Sequence, residues 1–308
     1  MKIATDRISA SKQNPVHHKH VRLNDLDIFY REAGPANAPV ILLLHGFPTS
    51  SNMFRNLIPR LANSFHVLAP DYPGFGQSSM PDHNDFAYTF ENLTNVVEQL
   101  VEKLGLTRYS LYLMDYGAPI GYRLAVRHPD RVQALIIQNG NAYDEGLRQF
   151  WDPIKKYWAN PTPENRKALH FLVDPKSTRW QYENGVADLT LLDPTAWTLD
   201  QLGLDRPGNE DIQMDLFYDY RTNVPLYPQF QDFFRYHQPP TLIVWGKNDF
   251  IFPPEGAEPY ARDLKNVETH LLDTGHFALE THGEEIADRI ENFLQEQHFP
   301  ASTNRLVM

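Results

Sequence analysis

The chain has 308 residues, which is room for one large domain or for a core domain with a sizeable insertion. Its 39 acidic and 28 basic residues give a net charge of −11, which disfavours nucleic acid and anionic membranes as partners. The absence of cysteine excludes disulfides, thiol catalysis and cysteine-bound metal centres. No apolar run approaches the ~20 residues of a membrane span, and the N-terminus lacks the pattern of a secretory signal. We therefore expect a cytoplasmic protein.

Short apolar runs bounded by turn residues recur along the chain. They predict strands that are buried on both faces, as in a parallel sheet. The N-terminal segment is expected to form a hairpin, and the last strand alternates in polarity, as an edge strand does. The predicted strands are the hairpin arms at 16–23 and 26–31, then 40–44, 65–69, 109–114, 132–138, 241–245 and 267–272.

Helical periodicity fills the intervals between these strands and predicts helices over residues 91–104, 118–127 and 284–295. Strands that alternate with helices form βαβ units. The predicted fold class is therefore α/β, with a mostly parallel eight-stranded sheet and helices on both of its faces.

One interval departs from this alternation. About a hundred residues separate the strand at 132–138 from the strand at 241–245, where a connection of ~2–6 residues is usual. This interval is rich in proline, tryptophan and tyrosine. We expect residues 139–239 to form a helical cap inserted between strands 6 and 7, and residues 1–138 and 240–308 to form the core.

Ligands of open α/β sheets bind beyond the C-terminal ends of the strands, so the residues that follow each strand are the first candidates for a site. Two carboxylates and a histidine follow successive strands there: Asp115, Asp249 and His276. The motifs at these strand ends are HGFP at 45–48, DYPGFGQS at 71–78, MDYG at 114–117, WGKND at 245–249 and GHF at 275–277. We expect the three side chains to converge.

Together these motifs resemble the α/β-hydrolase superfamily, in which the chain order is nucleophile, acid, histidine. The resemblance covers residues 16–294 and is specifically to the branch with an aspartate nucleophile, that of epoxide hydrolases and haloalkane dehalogenases. It implies the α/β-hydrolase fold, with Asp115 as nucleophile, Asp249 as triad acid and His276 as base. It implies no cofactor.

The strand-end residues also have structural interpretations. An aspartate after a strand commonly caps the next helix, which would explain Asp115 and Asp249 without chemistry. Asp144 and Glu145, after the preceding strand, are alternative triad acids. The turn around Asp115, where the family carries its nucleophile, departs from the usual G-x-S-x-G pattern, because Leu113 stands where the first glycine is expected.

Other polar residues near the motifs are expected to be structural. His45 would shape the oxyanion turn through hydrogen bonds, and Asp71 would belong to a buried turn. Three histidines lie on the predicted N-terminal edge strand without acidic companions, and we expect them to be solvated: His17, His18 and His20. We therefore predict no metal site.

An aspartate nucleophile attacks an sp³ carbon and forms an alkyl-enzyme ester, which suits epoxides and alkyl halides. In the second step, His276 would activate a water that attacks the carbonyl carbon of Asp115, while Asp249 orients the imidazole. The backbone N–H groups of Phe47 and Tyr116 are the expected oxyanion hole, since they follow the first parallel strand and the nucleophile.

The leaving group separates the two branches of the family. Dehalogenases typically carry tryptophan or asparagine at the positions of Tyr116 and Phe47, which here have no side-chain N–H. The tryptophans of the predicted cap, at 151, 158, 180 and 197, are possible substitutes. Epoxide hydrolases use two cap tyrosines, whose phenols stay protonated at neutral pH. By resemblance to their tyrosine-arginine segment, Tyr220 is the first candidate, with Tyr157 and Tyr143 as alternatives.

The expected function is hydrolysis of an epoxide to a diol. The alternatives are dehalogenation of a haloalkane or haloacid, hydrolysis of an unusual ester or lactone, and non-catalytic binding of a small molecule on the same fold. The expected partners are a small, largely apolar organic substrate and water, with no nucleic acid and no membrane. The sequence specifies neither the substrate nor the oligomeric state.

Overall fold

The computed structural model describes residues 14–299. Its central feature is an eight-stranded sheet, and the strands at 40–44, 66–70, 109–114 and 241–246 are buried along their whole length. The strands are β1 (His17–Leu23), β2 (Leu26–Ala33), β3 (Val40–Leu44), β4 (His66–Pro70), β5 (Tyr109–Met114), β6 (Val132–Gln138), β7 (Thr241–Gly246) and β8 (Val267–Leu272).

The strand order across the sheet is β1-β2-β4-β3-β5-β6-β7-β8. Strand β2 is antiparallel to both of its neighbours, and all the other pairs are parallel. The C-terminal ends of β3, β5, β6, β7 and β8 therefore lie along one edge of the sheet. The prediction of an α/β fold with a mostly parallel eight-stranded sheet is confirmed.

Helices cover both faces of the sheet, because successive side chains of a buried strand point to opposite faces. On β3, Leu42 and Leu44 join one apolar cluster, while Ile41 and Leu43 join the other. The helices are α1 (Leu57–Leu61), α2 (Phe90–Lys103), α3 (Gly117–Arg127), α4 (Asp152–Ala159), α5 (Pro163–Lys167), α6 (Pro175–Glu183), α7 (Pro194–Leu204), α8 (Asn209–Asp219), α9 (Tyr227–His237), α10 (Tyr260–Asp263) and α11 (Ala278–Glu296). Helices α2 and α3 pack on the first cluster, and α1 and α11 on the second.

The predicted helices differ from the observed ones mainly at their ends. Helix α2 begins where the Thr89 hydroxyl accepts a hydrogen bond from the Asn92 backbone N–H, as in an ordinary N-cap. Helix α11 begins six residues before the predicted start at 284. Non-helical dihedral angles at His282 interrupt it, so the sequence periodicity revealed only the segment after this kink.

Residues 139–239 separate β6 from β7, and we call them the inserted segment. They contain the six helices α4 to α9 together with short 3₁₀ turns, and none of these residues forms a strand. Hydrogen bonds tie this segment to the core: the Asn209 amide donates to the Gly74 carbonyl, and Asp219 accepts from the Phe90 N–H. The segment therefore packs directly against the loops that follow the strands.

The N-terminal hairpin corrects one detail of the sequence analysis. Strand β1 lies at the edge of the sheet, and His17, His18 and His20 are exposed, as expected. His20 nevertheless has an acidic companion, because its Nδ1 lies 2.9 Å from a carboxylate oxygen of Asp27 on the paired strand. The linear sequence does not reveal a partner that is set by strand register.

Within residues 14–299, none of the helices combines the length and the apolar character that a membrane crossing requires.

Candidate active site

Asp115 occupies the sharp turn between β5 and α3. Its φ of +50° lies in the left-handed region, which residues other than glycine rarely adopt and which costs free energy. The turn is tight because Gly117 lies against β3: a Cβ there would come within 2.2 Å of the Leu44 carbonyl oxygen. This backbone conformation sets the Asp115 carboxyl at the C-terminal edge of the sheet.

Two backbone N–H groups lie against this carboxylate. The N–H of Phe47 donates to Asp115 Oδ1 at 2.7 Å, and the N–H of Tyr116 also hydrogen-bonds the carboxylate. Gly46 leaves room for the side chain, since a Cβ at that position would lie 2.4 Å from Oδ1. The two donors are those that the sequence analysis predicted for an oxyanion hole.

The predicted acid and base meet at the same place. Asp249 follows β7 and His276 follows β8, and both are buried. His276 Nδ1 lies 2.7 Å from Asp249 Oδ2, and His276 Nε2 lies 3.9 Å from Asp115 Oδ2 without a hydrogen-bond partner. The alternative acids Asp144 and Glu145 do not make this contact; Glu145 pairs with an arginine, 2.8 Å away.

Asn139 is a site residue that the sequence analysis missed. It follows β6 with a φ of +45°, a conformation that asparagine tolerates better than most residues. Its amide Nδ2 donates to Asp249 Oδ2 at 2.8 Å, while its Oδ1 accepts from the Gly246 N–H. The Ile251 N–H donates to the other oxygen of Asp249. These three hydrogen bonds fix the carboxylate that faces His276.

Burial and neighbouring charges have opposite effects on the pKa values of Asp115 and His276. Burial raises the pKa of Asp115 to about 6, although His276 and the N–H groups of Phe47 and Tyr116 favour the ionised form. Burial would lower the pKa of His276, but the charge and hydrogen bond of Asp249 outweigh burial, and the pKa is raised. Asp115 is therefore ionised at neutral pH, and Asp249 holds the imidazole of His276 by a hydrogen bond.

Aromatic rings line the space around the three residues. Phe217 packs edge-on against Phe47, with ring centroids 5.0 Å apart, and Phe252 lies 6.1 Å from the His276 ring. Trp151 contacts Tyr220, with ring centroids 4.4 Å apart. Phe217, Trp151 and Tyr220 belong to the inserted segment, so both parts of the chain form the apolar wall.

Tyr220 places a buried hydroxyl in this wall. The hydroxyl has no partner at regular hydrogen-bond geometry, although the Tyr227 hydroxyl adjoins it and is itself bonded by the Asn141 amide at 2.9 Å. Burial, the adjoining Tyr227 and the charge of Asp115 raise the pKa of Tyr220 well above 10. The phenol is therefore neutral and able to donate a hydrogen bond.

The other two candidate tyrosines make their contacts elsewhere. The Tyr143 hydroxyl donates to Asp263 at 2.7 Å, and its ring packs on Tyr260. Tyr157 packs against Tyr218, with ring centroids 5.0 Å apart. Both side chains are explained by these local contacts.

The indole N–H groups closest to the site are already engaged. Trp151 donates to the Ile251 carbonyl at 2.8 Å, and Trp158 donates to the Phe217 carbonyl at 2.7 Å. The other two tryptophans of the inserted segment pack against other aromatic rings, those of Phe150 and Tyr182. The hydrogen-bonding pattern thus leaves the Tyr220 hydroxyl, rather than the Trp151 or Trp158 indole, unengaged near Asp115.

His45 and Asp71 shape the turns around the site. The His45 ring stacks on Tyr72, its Nδ1 lies 3.0 Å from the Gly46 carbonyl, and burial lowers its pKa to about 4. Asp71 accepts hydrogen bonds from the backbone N–H groups of Ser51 and Gln77, at 2.7 and 2.8 Å. Both residues hold the loops around Phe47, whose N–H bonds Asp115.

Residues 39–283 match the family described as alpha/beta hydrolase fold, and the chain belongs to that family. Over 283 residues it is 45% identical to a protein of Saccharomyces cerevisiae named "Uncharacterized hydrolase YNR064C", an alignment that covers 91% of this chain and 97% of the relative. Over 288 residues it is 25% identical to "Epoxide hydrolase 3" of Mus musculus, covering 90% of this chain and 76% of the relative.

Among solved structures, the chain is similar to haloalkane dehalogenase DbeA from Bradyrhizobium elkani USDA94. The TM-score is 0.76 at 22% identity, and the match covers 92% of this chain and 99% of that chain. This likeness concerns the fold. With relatives named as hydrolases over nearly its whole length, the protein is an enzyme of the hydrolase class.

Proposed function

We propose that the protein hydrolyses epoxides to diols through an ester between the substrate and Asp115. The observation that carries this proposal is the setting of the Asp115 carboxylate. Its Oδ1 accepts the Phe47 N–H at 2.7 Å, and its Oδ2 lies 3.9 Å from His276 Nε2. A carboxylate held in this way has a free oxygen for attack on an sp³ carbon, and the product of that attack is an alkyl ester.

In the first step, Asp115 Oδ2 attacks a carbon of the epoxide ring and the ring C–O bond breaks. Because burial raises the pKa of Asp115 only to about 6, the carboxylate is ionised at neutral pH. Burial also leaves the carboxylate poorly solvated. Both conditions favour nucleophilic attack.

In the second step, His276 takes a proton from a water that attacks the ester carbonyl carbon. Asp249 holds Nδ1 of the imidazole, which leaves Nε2 as the base. The N–H groups of Phe47 and Tyr116 stabilise the oxyanion that forms on Asp115. Esterification removes the charge of Asp115, one of the causes that raise the pKa of His276, so the imidazole becomes neutral more readily for this step.

The choice of leaving group rests on the hydrogen-bond donors near Asp115. A halide needs N–H donors, but the indoles of Trp151 and Trp158 donate to backbone carbonyls. The unengaged Tyr220 hydroxyl supports protonation of an epoxide oxygen instead. We therefore propose Tyr220 as the acid, in preference to Tyr143 and Tyr157, whose side chains make other contacts.

We further propose that residues 139–239 act as a cap over the site, with residues 1–138 and 240–308 as the catalytic core. The support is that Trp151, Phe217 and Tyr220 of the inserted segment contact one another or Phe47 around the triad. An apolar wall with few polar groups suits a small, largely apolar organic substrate.

A mixed substrate panel tests the proposal. Styrene oxide, 1,2-epoxyhexane, 1-bromobutane, chloroacetate and 4-nitrophenyl butyrate are incubated with the protein and with Asp115→Ala, and diol, halide and nitrophenol are measured. We expect diol from the epoxides with the unmodified protein and none with the variant. Halide without diol would assign the site to dehalogenation, and nitrophenol alone would assign it to ester hydrolysis. Binding of these compounds without any turnover would favour the non-catalytic alternative.

A further inference from the structure

We propose that the side-chain hydroxyl of Tyr116 is a second hydrogen-bond donor to the epoxide oxygen and acts beside Tyr220. This inference rests on the epoxide hydrolysis proposed above and adds a catalytic residue to it. The role is separate from that of the Tyr116 backbone N–H, which hydrogen-bonds the Asp115 carboxylate.

Tyr116 buries its hydroxyl without a hydrogen-bond partner, and the buried Tyr220 hydroxyl has only the adjoining Tyr227 hydroxyl, outside regular hydrogen-bond geometry. Tyr116 is 1% exposed and Tyr220 is 0% exposed. Buried polar atoms without a partner are rare in folded proteins, because each has lost its water without replacement. A ligand oxygen with two lone pairs accepts two hydrogen bonds, so one epoxide oxygen would satisfy both phenols.

The two rings lie side by side next to the nucleophile. Their centroids are 6.1 Å apart, and Phe90 packs edge-on against both, at 5.0 Å from Tyr116 and 5.4 Å from Tyr220. Phe47, whose N–H bonds the Asp115 carboxylate, is also within ring contact of Tyr116. The pair of phenols therefore adjoins the carboxylate that attacks the ring.

The electrostatic setting keeps both phenols protonated. Burial is the larger and the charge of Asp115 the smaller of the two causes that raise the pKa of Tyr116 well above 10. Burial, Tyr227 and Asp115 do the same for Tyr220. Neutral phenols donate hydrogen bonds to the negative charge that develops on the epoxide oxygen as the ring opens.

The proton and electron balance of the reaction is complete with these groups. The Asp115 oxygen forms the new C–O bond, and the electron pair of the broken ring bond goes to the ring oxygen. Tyr220 transfers its proton to that oxygen and becomes a phenolate, while Tyr116 holds the oxygen by a hydrogen bond. During ester hydrolysis, one proton of water passes through His276 to the second product hydroxyl, and the other restores Tyr220.

Tyr116→Phe tests the proposal in single-turnover experiments with styrene oxide and excess protein. Intact mass spectrometry gives the rate of alkyl-enzyme formation and the rate of its decay separately. We expect formation to slow about 10²-fold, as for the loss of one donor to a developing oxyanion, and decay to stay unchanged. Tyr220→Phe should act on the same step, and the double variant should be no faster than the slower single variant.

Tyr109→Phe is the matched control. Tyr109 is also a buried tyrosine whose hydroxyl has no partner, but it begins β5, at the opposite end of the strand from Asp115. Neither substitution removes a hydrogen bond of the free protein, so neither should lower the melting temperature. The control should leave both rates unchanged.

Three results would overturn the proposal. Unimpaired ester formation by Tyr116→Phe, in a protein that does convert styrene oxide, would remove Tyr116 from the step and leave the proposed function standing. An equal loss in Tyr109→Phe would assign the effect to general disturbance of the core. Failure of the unmodified protein to convert any epoxide would overturn the proposed function together with the role of Tyr116.

Discussion

Asp115 in the hydrolase core and Asp200 in the inserted segment are buried to the same degree, at 4% and 5% exposure. Burial raises the pKa of Asp115 to about 6 and that of Asp200 to about 7. Loss of solvent therefore does not distinguish them. The difference lies in the groups that each carboxyl faces.

Asp115 receives two backbone N–H groups and faces the Nε2 of His276, in a turn that holds it with a positive φ. Asp200 lies on α7 and accepts a hydrogen bond from the Tyr182 hydroxyl, while Glu280 raises its pKa further and Arg55 lowers it. Burial alone thus moves the pKa of a carboxyl group toward neutrality. Fixed N–H donors and a neighbouring base are what give Asp115 the surroundings of a nucleophile.

Replacing either aspartate with asparagine should produce the largest difference in turnover between the two positions. Asp115→Asn removes the oxygen that forms the ester, so we expect turnover to fall by at least ~10⁴-fold. Asp200→Asn keeps an oxygen that accepts from Tyr182, and we expect turnover within about threefold of the unmodified protein. Steady-state diol formation measures both. Similar losses at the two positions would remove the distinction between them.

Asp249→Asn should slow the second step far more than the first, because the base acts in ester hydrolysis. We expect hydrolysis to slow by ~10³–10⁴-fold, and the alkyl-enzyme to accumulate and be visible by intact mass. The control is Glu145→Gln, since Glu145 pairs with Arg262 and does not contact His276. If the alkyl-enzyme accumulated in Glu145→Gln but not in Asp249→Asn, the triad acid would lie in the loop after β6 that carries Glu145.

The pH dependence should differ between the two steps. Ester formation needs ionised Asp115, so its rate should fall about tenfold per unit below pH ~6 as the carboxylate takes up a proton. Ester hydrolysis needs neutral His276, and a raised pKa means that acid suppresses this step too. Single-turnover rates between pH 5 and 9 measure each step. A formation rate that stays constant down to pH 5 would contradict the proposed ionisation of Asp115.

Substitution of Asp200 should change the stability of the protein rather than its turnover. Its pKa in the folded protein, about 7, lies above that of an unfolded aspartate, so its contribution to stability is lost as pH rises through this range. The melting temperature of Asp200→Asn, relative to the unmodified protein, should therefore rise by a few degrees from pH ~4 to pH ~7 and then level off.

Asp188→Asn provides a control of opposite sign on the same segment. Asp188 is exposed, and hydrogen bonds from the Thr190 side chain and backbone lower its pKa. This contribution is present at neutral pH and lost in acid, so the substitution should not become more favourable as pH rises. Parallel curves for the two variants would contradict a raised pKa of Asp200 in the folded protein.

The main outline of the fold could be predicted because buried strands have a continuous apolar pattern. The runs at 40–44 and 132–138 coincide with β3 and β6. The helices of residues 139–239 could not be placed, since aromatic and proline residues occur there without a clear period. Those helices are held by packing against the core and one another, which a local pattern does not record.

The meeting of Asp115, Asp249 and His276 could be predicted because the C-terminal ends of parallel strands share one edge of the sheet. The support of Asp249 by Asn139 could not, because it depends on the side-chain direction at a residue with positive φ. The unpartnered hydroxyl of Tyr116 was also invisible, since only the packing shows which polar atoms lack a partner.

A single turnover in ¹⁸O-labelled water distinguishes a covalent ester on Asp115 from direct attack of water on the substrate. Water then attacks the carbonyl carbon of Asp115, so the oxygen delivered to the first product molecule comes from the carboxylate. The account predicts ¹⁸O in the peptide that contains Asp115 and almost none in the diol. Labelled diol together with unlabelled Asp115 would show direct attack by water and contradict the nucleophilic role.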